Sequence, residues 1–361
     1  MRAKHLDIQE HKDLYHAIFH QINTDLKMDK REANWYFILK GVFYVGLACG
    51  SYFLIFTITH PLLFVLNFIF FGFIAVLLCF NFAHDLSHHS IFKRPFWDNF
   101  FFECIYMLVG AHPEAWKKRH INSHHFAPNV AHFDTDLAIT GLIRVLPSGK
   151  RSWYHKYQHL YAPFAYMSYS FYWVFIKDFK VLKDFAPKKP KQKLRYYGTF
   201  VLVKAIYLSY MLLLPLYFAP QNAWVVFSAF IGMHLVQSVY TLFTFFITHH
   251  VDNSNYPTAS EDGLIDTSWF MNQIKSSNDF YPFSFIANFI FGGVNNHIAH
   301  HLFPHISHYH YPKVNRILYD RLLKENIIPN QTTYLGGIIS HLKLLKIRGV
   351  EKEPVPRVEA L

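Results

Sequence analysis

Four long apolar stretches dominate the hydrophobic pattern of the chain. Each is long enough to supply the roughly 20 residues that an α-helix needs to cross a bilayer. Only short breaks, at His60-Pro61 and Pro220-Gln221-Asn222, separate the two members of each pair. The pattern therefore predicts four transmembrane helices in two hairpins. The predicted spans cover about residues 36–58, 62–83, 198–219 and 222–248.

Shorter apolar stretches lie between these spans. Residues 100–111 and 283–294 are too short to cross a bilayer, which is typical of re-entrant or interfacial helices. Residues 161–179 are rich in aromatic side chains, as expected at headgroup depth. A fifth span there is the alternative, but Lys156 and Lys177 on its two sides favour an interfacial segment.

The segments around the spans divide the chain into three parts. Residues 1–35 are polar with apolar residues at helical spacing, which predicts an amphipathic helix on the membrane surface. Residues 36–318 form the predicted membrane domain and include a long loop at 84–197. Residues 319–361 are predicted to be a cytoplasmic tail.

Composition and charge fit a membrane protein. Of the 361 residues, 52% are hydrophobic and only 16% are charged, whereas soluble domains have about 25% charged residues. The net charge is +11, and the loop 93–195 is rich in Lys and Arg, whereas the two hairpin breaks contain none. The positive-inside rule therefore puts both termini and the loop in the cytoplasm, at the inner membrane if the source is bacterial. Positive charge beside apolar spans fits anionic lipid and acidic partners better than nucleic acid.

Three histidine clusters lie near the predicted cytoplasmic ends of the spans. HDLSHH begins at His84, HINSHH at His120 and HIAHH at His297. Residues three and four apart share one face of a helix, so the imidazoles within a cluster can converge on one point. Because the predicted topology puts all three clusters on one side of the membrane, they can form a single polyhistidine metal site.

The number of histidines argues for two metal ions. A catalytic zinc needs three protein ligands and a structural zinc four, and this chain offers more. Without cysteine ligands, imidazoles suit iron that carries out dioxygen chemistry. His89 and His250 are less favoured neighbours, because they point about 100° away on a helix. The predicted ligands are His84, His88, His120, His124, His125, His249, His297, His300 and His301.

Polar residues near the clusters are predicted to orient the ligands. Ligating imidazoles usually donate their second N–H to a carboxylate or a carbonyl group. The candidates for this role are Asp85, Asp134, Asp136 and Asn295.

Residues before the second cluster are weaker candidates for substrate binding. Trp116 can line an apolar tunnel for an acyl chain, although interfacial packing is the favoured alternative. Lys117, Lys118 and Arg119 can bind a CoA or phospholipid phosphate or an acidic carrier. The positive-inside rule alone would also place cations there.

The three clusters resemble the histidine boxes of the membrane fatty-acid desaturase family. The resemblance covers about residues 78–319. Asn129, the run HKYQHLYAP at 155–163, Gly292-Gly293 and the run from Leu302 to Pro312 resemble the branch with linoleoyl-CoA-type and front-end desaturases. In that branch a histidine shortly after the last span completes the ligand set, and His249 occupies this position.

Two departures from that branch leave the double-bond position open. Front-end members commonly carry a fused haem domain with an HPGG signature, which this sequence lacks. They also commonly begin the third box with glutamine, where this chain has His297.

The resemblance implies an all-α, multi-pass membrane enzyme whose cytoplasmic helical cap holds two irons. Such an enzyme uses dioxygen and electrons from an external carrier, ferredoxin-like or cytochrome b-type with its reductase, to desaturate an acyl-CoA or acyl-lipid. The sequence leaves the chain length, acyl carrier, electron donor and oligomeric state unspecified. Two alternatives stay open: a lipid or alkane hydroxylase of the same di-iron class, and, more distantly, a polyhistidine metal transporter, which would place its ligands in mid-span.

Overall fold

Helices make up most of the chain. The structure, a computed structural model, describes residues 3–26, 28, 30–137 and 141–352. Within this part, four helices are long and apolar enough to cross a membrane, as predicted. These candidate spans are Ala33–Leu54, Pro61–Ser87, Pro190–Phe218 and Ala223–His249.

The span boundaries differ from the predicted ones by four residues or more at three ends. The second span runs on to Ser87 and therefore contains His84. The third begins at Pro190, because a proline at the first helical position has the right φ and needs no hydrogen-bond acceptor. The first ends at Leu54 and is followed by a turn through Thr57.

The two helical hairpins pack on one another. The side-chain amide of Gln221, in the second hairpin loop, donates to the carbonyl oxygens of Ile58 at 2.9 Å and Thr59 at 2.7 Å in the first loop. Gly72 allows the second and fourth spans to approach closely, because a Cβ atom there would lie 2.1 Å from Cγ of Met233. The two hairpin loops therefore lie at the same end of the span bundle.

Short helices connect the spans and precede and follow them. The α-helices outside the candidate spans are Gln9–Asp25, Pro95–Val109, Pro113–Arg119, Gln158–Tyr166, Tyr169–Tyr172, Asp178–Val181, Trp269–Lys275, Phe285–Phe291, His297–Leu302, Tyr311–Lys324 and Tyr334–Val350. The π-helical turns are Cys79–Ala83, His120–His124, Trp173–Lys177 and Ser209–Leu213, and the 3-10 turns are Thr135–Leu137, Trp153–Tyr157 and His308–His310.

Two pairs of very short parallel strands join distant segments. Lys4–His5 pairs with Leu264–Ile265, and Asp279–Phe280 pairs with Gln331–Thr332. The first pair fixes the amino-terminal segment, and the second fixes the segment that leads into the last helix.

The amino-terminal helix Gln9–Asp25 is amphipathic, as predicted, but protein covers its apolar face. Ile18 and Ile22 are fully buried in a core cluster with Phe270, Leu318 and Leu322. Contact of this amino-terminal segment with the membrane surface stays a prediction. The helix Tyr311–Lys324 belongs to the same core and runs across the predicted boundary at 318/319.

Candidate metal centre

All nine predicted histidine ligands lie in one buried region and form two clusters. The nitrogen atoms of His84, His88, His120 and His300 lie within 4.8 Å of one another, and so do those of His124, His249, His297 and His301. His125 joins the first group, because its Nε2 lies 3.1 Å from that of His120 and 3.0 Å from that of His300. We call the five-histidine group cluster one and the four-histidine group cluster two.

The third box contributes to both clusters. His297 and His301 are four residues apart on the helix His297–Leu302, and their Nε2 atoms lie 3.2 Å apart in cluster two. His300 points about 100° away from His301 around the helix axis and enters cluster one. The three imidazoles of this box therefore do not converge on one point, contrary to the expectation from spacing.

A π-helical turn divides the second box in the same way. The turn His120–His124 ends with a hydrogen bond from the amide of His125 to the carbonyl of His120, at 3.0 Å. Because a π-turn has a longer repeat than an α-helix, residues five apart come onto one face. His120 and His125 therefore share cluster one, while His124 enters cluster two.

The facing imidazoles of cluster two require a positive charge between them. His124 donates its Nδ1 proton to Asp134 at 3.0 Å, and His249 donates its Nδ1 proton to the carbonyl of Ser276 at 2.8 Å. Each neutral ring then has only a lone pair on Nε2, yet these two Nε2 atoms lie 3.0 Å apart. Two lone pairs at this distance repel unless a proton or a metal ion lies between them.

The spacing of the nitrogens matches a metal coordination shell. In cluster two, Nε2 of His249 lies 2.7 Å from that of His297 and 3.2 Å from that of His301. Metal–nitrogen bonds of about 2.1 Å put neighbouring ligand atoms about 3 Å apart in an octahedral shell. In cluster one, Nε2 of His84 and Nε2 of His88 are buried without a hydrogen-bond partner among the described residues. Both clusters therefore fit metal ions.

Burial keeps most of these rings neutral. Desolvation lowers the pKa of His120 and His125 in cluster one and of His297 and His301 in cluster two well below the usual value. A neutral imidazole has the lone pair that a metal needs. His124 is the exception: burial lowers its pKa, but the Asp134 carboxylate outweighs this effect and raises it.

Of the acids predicted to orient the ligands, Asp134 accepts a hydrogen bond from a predicted ligand histidine. Besides the Nδ1 proton of His124, its Oδ2 accepts the amide proton of Asn129 at 3.0 Å. The side chain of Asn129 in turn donates to the carbonyl of His249 at 3.0 Å. These contacts hold two histidines of cluster two in place.

Asp136 stands further from the ligands. Its Oδ2 is 4.0 Å from Nδ1 of His124, and its Oδ1 forms an ion pair with Nε of Arg119 at 2.6 Å. Arg119 is buried, so its guanidinium faces this carboxylate rather than the solvent where a phosphate would approach.

Asp85 and Asn295 bind groups other than the ligand imidazoles. Oδ2 of Asp85 accepts both the Nδ1 proton and the amide proton of His308, at 3.0 and 2.9 Å. His308 also lies 3.0 Å from the ammonium group of Lys40 in the first span. Asn295 donates to the carbonyl of Tyr281 at 3.4 Å.

The other residues predicted to bind substrate contact protein groups. Trp116 is buried and stacks on the ring of His120, with 4.5 Å between the ring centroids. Lys117 donates to the side chain of Asn99 at 2.8 Å. Lys118 forms an ion pair with Glu114 at 2.8 Å on the same helix. His89 is exposed, and His250 contacts the hydroxyl of Tyr256 at 3.0 Å, so neither joins a cluster.

An apolar pocket extends from cluster one between the helices. His84 and Trp116 line its metal end, and Val76, Gln237 and Thr241 line the part between the second and fourth spans. Its mostly apolar lining suits a hydrocarbon chain.

Several supporting residues were not predicted from the sequence. Gln273 lies 2.8 Å from Nδ1 of His301, and the hydroxyl of Tyr311 lies 3.3 Å from Nδ1 of His300. Asp279 accepts the amide proton of Ile298 at 2.8 Å and thereby fixes the start of the third-box helix. None of them stands at a regular spacing from a histidine box, so the sequence offered no signal for them.

Comparisons with known proteins agree with this geometry. The sequence profile of the fatty acid desaturase family matches residues 58–333. The chain belongs to the fatty acid desaturase family. It is 29% identical over 304 residues to an acyl-lipid (8-3)-desaturase of Physcomitrium patens, an alignment that covers 82% of this chain and 63% of that protein.

Other relatives carry similar names. The chain is 28% identical over 238 residues to an sn-1 linoleoyl-lipid 6-desaturase of Arthrospira platensis, covering 64% of this chain and 63% of the relative. It is 28% identical over 291 residues to acyl-lipid (8-3)-desaturase B of Dictyostelium discoideum, covering 75% and 61%. The alignments thus span less than two thirds of the length of each of these desaturases.

Proposed function

We propose that this desaturase-family chain introduces a double bond into the fatty acyl chain of an acyl-CoA or acyl-lipid. It uses dioxygen and electrons from an external carrier, ferredoxin-like or cytochrome b-type. The observation that carries the proposal is the 3.0 Å approach of Nε2 of His124 to Nε2 of His249, in a buried histidine site beside an apolar pocket. Relatives named as acyl-lipid desaturases support it.

Two irons are the metals that we assign to the two clusters. Iron is compatible with an all-imidazole donor set, and when bound it supplies the oxidising chemistry that removes hydrogen from an unactivated carbon chain. His84, His88, His120, His125 and His300 would hold one ion, and His124, His249, His297 and His301 the other.

The protein contributes position and the exclusion of water. The pocket from His84 toward Gln237 lets an acyl chain lie with one carbon pair beside cluster one. Trp116 lines the metal end and fixes the ring of His120 by stacking on it. Because the lining is mostly apolar, the chain displaces water from the reaction site.

The orientation in the membrane is part of the proposal. The basic loop between the second and third spans favours the cytoplasm for the histidine site and for both termini. The contact of Gln221 with Ile58 and Thr59 supports this orientation, because it joins the two hairpin loops at one end of the span bundle.

The deciding experiment expresses the chain in a host that lacks unsaturated fatty acids. Gas chromatography with mass detection of the lipids distinguishes a new double bond from a new hydroxyl group. Metal analysis of the purified protein accompanies it, and we expect iron in both clusters. A hydroxylated lipid would support the related hydroxylase activity, and zinc without iron would contradict both oxygen-dependent reactions.

A further inference from the structure

Lys177 is a buried lysine that forms no ion pair with a described residue. The residue is 8% exposed and lies at the end of the π-turn Trp173–Lys177. It forms no ion pair with any residue in the described part of the chain, and its hydrogen bond there runs to the hydroxyl of Tyr169 at 3.5 Å. An ammonium group in such a position is costly unless another group balances its charge.

The charges around Lys177 are already paired with each other. Arg119 forms an ion pair with Asp136 at 2.6 Å. Lys204 forms one with Asp178 at 2.7 Å and also donates to the carbonyl of Val174 at 2.7 Å. Asp134, the third carboxylate that acts on Lys177, accepts a hydrogen bond from His124. Of these three cations, Lys177 is therefore the one without an ion pair among the described residues. Burial, followed by repulsion from Arg119, lowers the pKa of Lys177 to about 7.

Tyr169 connects this charge to the apolar pocket. The side chains of Tyr169, Trp173 and Val174 all line the pocket that ends at His84. Because the hydroxyl of Tyr169 accepts a hydrogen bond from Lys177, its own O–H is available to donate to an acceptor in the pocket. A hydroxyl polarised by an ammonium group is also a stronger donor than a free one.

We propose that Tyr169 and Lys177 form a binding site for an oxygen of the acyl substrate, either the acyl carbonyl oxygen or a phosphate oxygen of its head group. The proposal rests on the proposed function, because it takes the pocket to be the acyl site. Binding the oxygen-bearing end there would set how far the hydrocarbon chain advances past cluster one. The pair would thus help to select which carbons lie beside the metals.

The proposal predicts opposite stability effects for two neighbouring lysines. Lys177→Met removes a charge that has no partner in the substrate-free protein, so its melting temperature should rise by about 2 °C or more. The matched control Lys204→Met leaves Asp178 buried and unpaired, so its melting temperature should fall. If Lys177 only supports the fold, Lys177→Met lowers the melting temperature as well, which would overturn the proposal.

Ligand binding gives the second readout. The probe is oleoyl-CoA, and the measured quantity is its dissociation constant for the purified full-length protein in nanodiscs. We expect Lys177→Met and Tyr169→Phe each to weaken binding about tenfold or more, with Lys177→Arg restoring most of it. Unchanged binding in both variants would refute the site, whether or not the wild-type chain desaturates lipids.

A second probe identifies the oxygen. In S-(9Z-octadecenyl)-CoA a methylene group replaces the carbonyl group of oleoyl-CoA, while the double bond and the phosphates stay. If Lys177→Met weakens oleoyl-CoA alone, the carbonyl oxygen is the ligand; if it weakens both probes equally, a phosphate is. Either result supports the proposal. If the wild-type chain does not desaturate lipids but its affinity for oleoyl-CoA depends on Lys177, the proposed function is contradicted. The binding site at Lys177 is then still supported.

Discussion

Adjacent histidines in this chain have contrasting surroundings, which provides a matched test at the scale of single residues. His88 belongs to cluster one, whereas His89 is exposed and has a positive φ of 57°. We expect His88→Ala to lower metal content and to reduce product formation by more than about 100-fold, because losing an outer partner alone costs 10–100-fold. His89→Ala should retain both. Metal analysis and lipid chromatography measure the two quantities, and equal losses would contradict the assignment of His88.

Asp134 provides a second test at this scale. Asp134→Asn keeps the shape of the side chain but removes the charge that holds the Nδ1 proton of His124. We expect metal affinity or activity to fall about 10–100-fold while the protein stays folded.

Asp320→Asn is the control for Asp134. Asp320 forms an exposed pair with Lys324 and should be neutral, because such pairs contribute little. Competition with a chelator during metal analysis measures the affinity. An unchanged affinity in Asp134→Asn would remove this carboxylate from the site.

The sequence predicted which histidines come together but not how they are distributed between the two clusters. The three boxes and His249 meet in the structure, because their spacing and the topology put them at the same end of the spans. Their roles as ligands stay a prediction. The sequence could not show that Asp85 contacts His308, because that contact joins residues more than 200 positions apart.

At the scale of elements, local helix geometry sets the two clusters apart. The π-turn at His120–His124 directs His124 and His125 into different clusters. A sequence pattern gives the spacing of residues but not whether one extra residue is inserted into a helical turn. The division of the second box was therefore beyond sequence reasoning, whereas the four spans were not.

Gly292 offers a test of how the first and third boxes fit together. Its φ is +60°, and a Cβ atom there would lie 2.3 Å from the carbonyl oxygen of Phe80, just before the first box. Gly292→Ala adds this clash to the cost of about 1–2 kcal/mol for a left-handed alanine. We expect the melting temperature and the metal content both to fall.

Gly46→Ala is the matched control for Gly292. Gly46 lies in the first span, where a Cβ atom would meet nothing within 4 Å. Alanine in a helix is favoured over glycine by about 0.5–1 kcal/mol, so this variant should be at least as stable as the wild-type protein. Thermal unfolding in the same detergent compares the two. An equally stable Gly292→Ala would show that the two boxes do not approach as closely as the structure has them.

At the scale of the whole molecule, the proposed orientation can be tested by labelling. In a variant without Cys49, Cys79 and Cys104, a cysteine replaces either Thr59 in the first hairpin loop or Glu325 after the helix Tyr311–Lys324. We expect a membrane-impermeant maleimide added outside intact cells to label Thr59→Cys only. Glu325→Cys should react after the cells are opened. Labelling of both from outside would contradict a cytoplasmic histidine site.

The two-cluster arrangement has a consequence for biosynthesis. Cluster one needs His300, and cluster two needs His297 and His301. During translation, these residues leave the ribosome only after all four spans have been made. A nascent chain therefore has no complete cluster to load, and a product truncated before the third box would lack both. If the two clusters hold metal ions as proposed, the ions would enter late, once all four candidate spans have been synthesised.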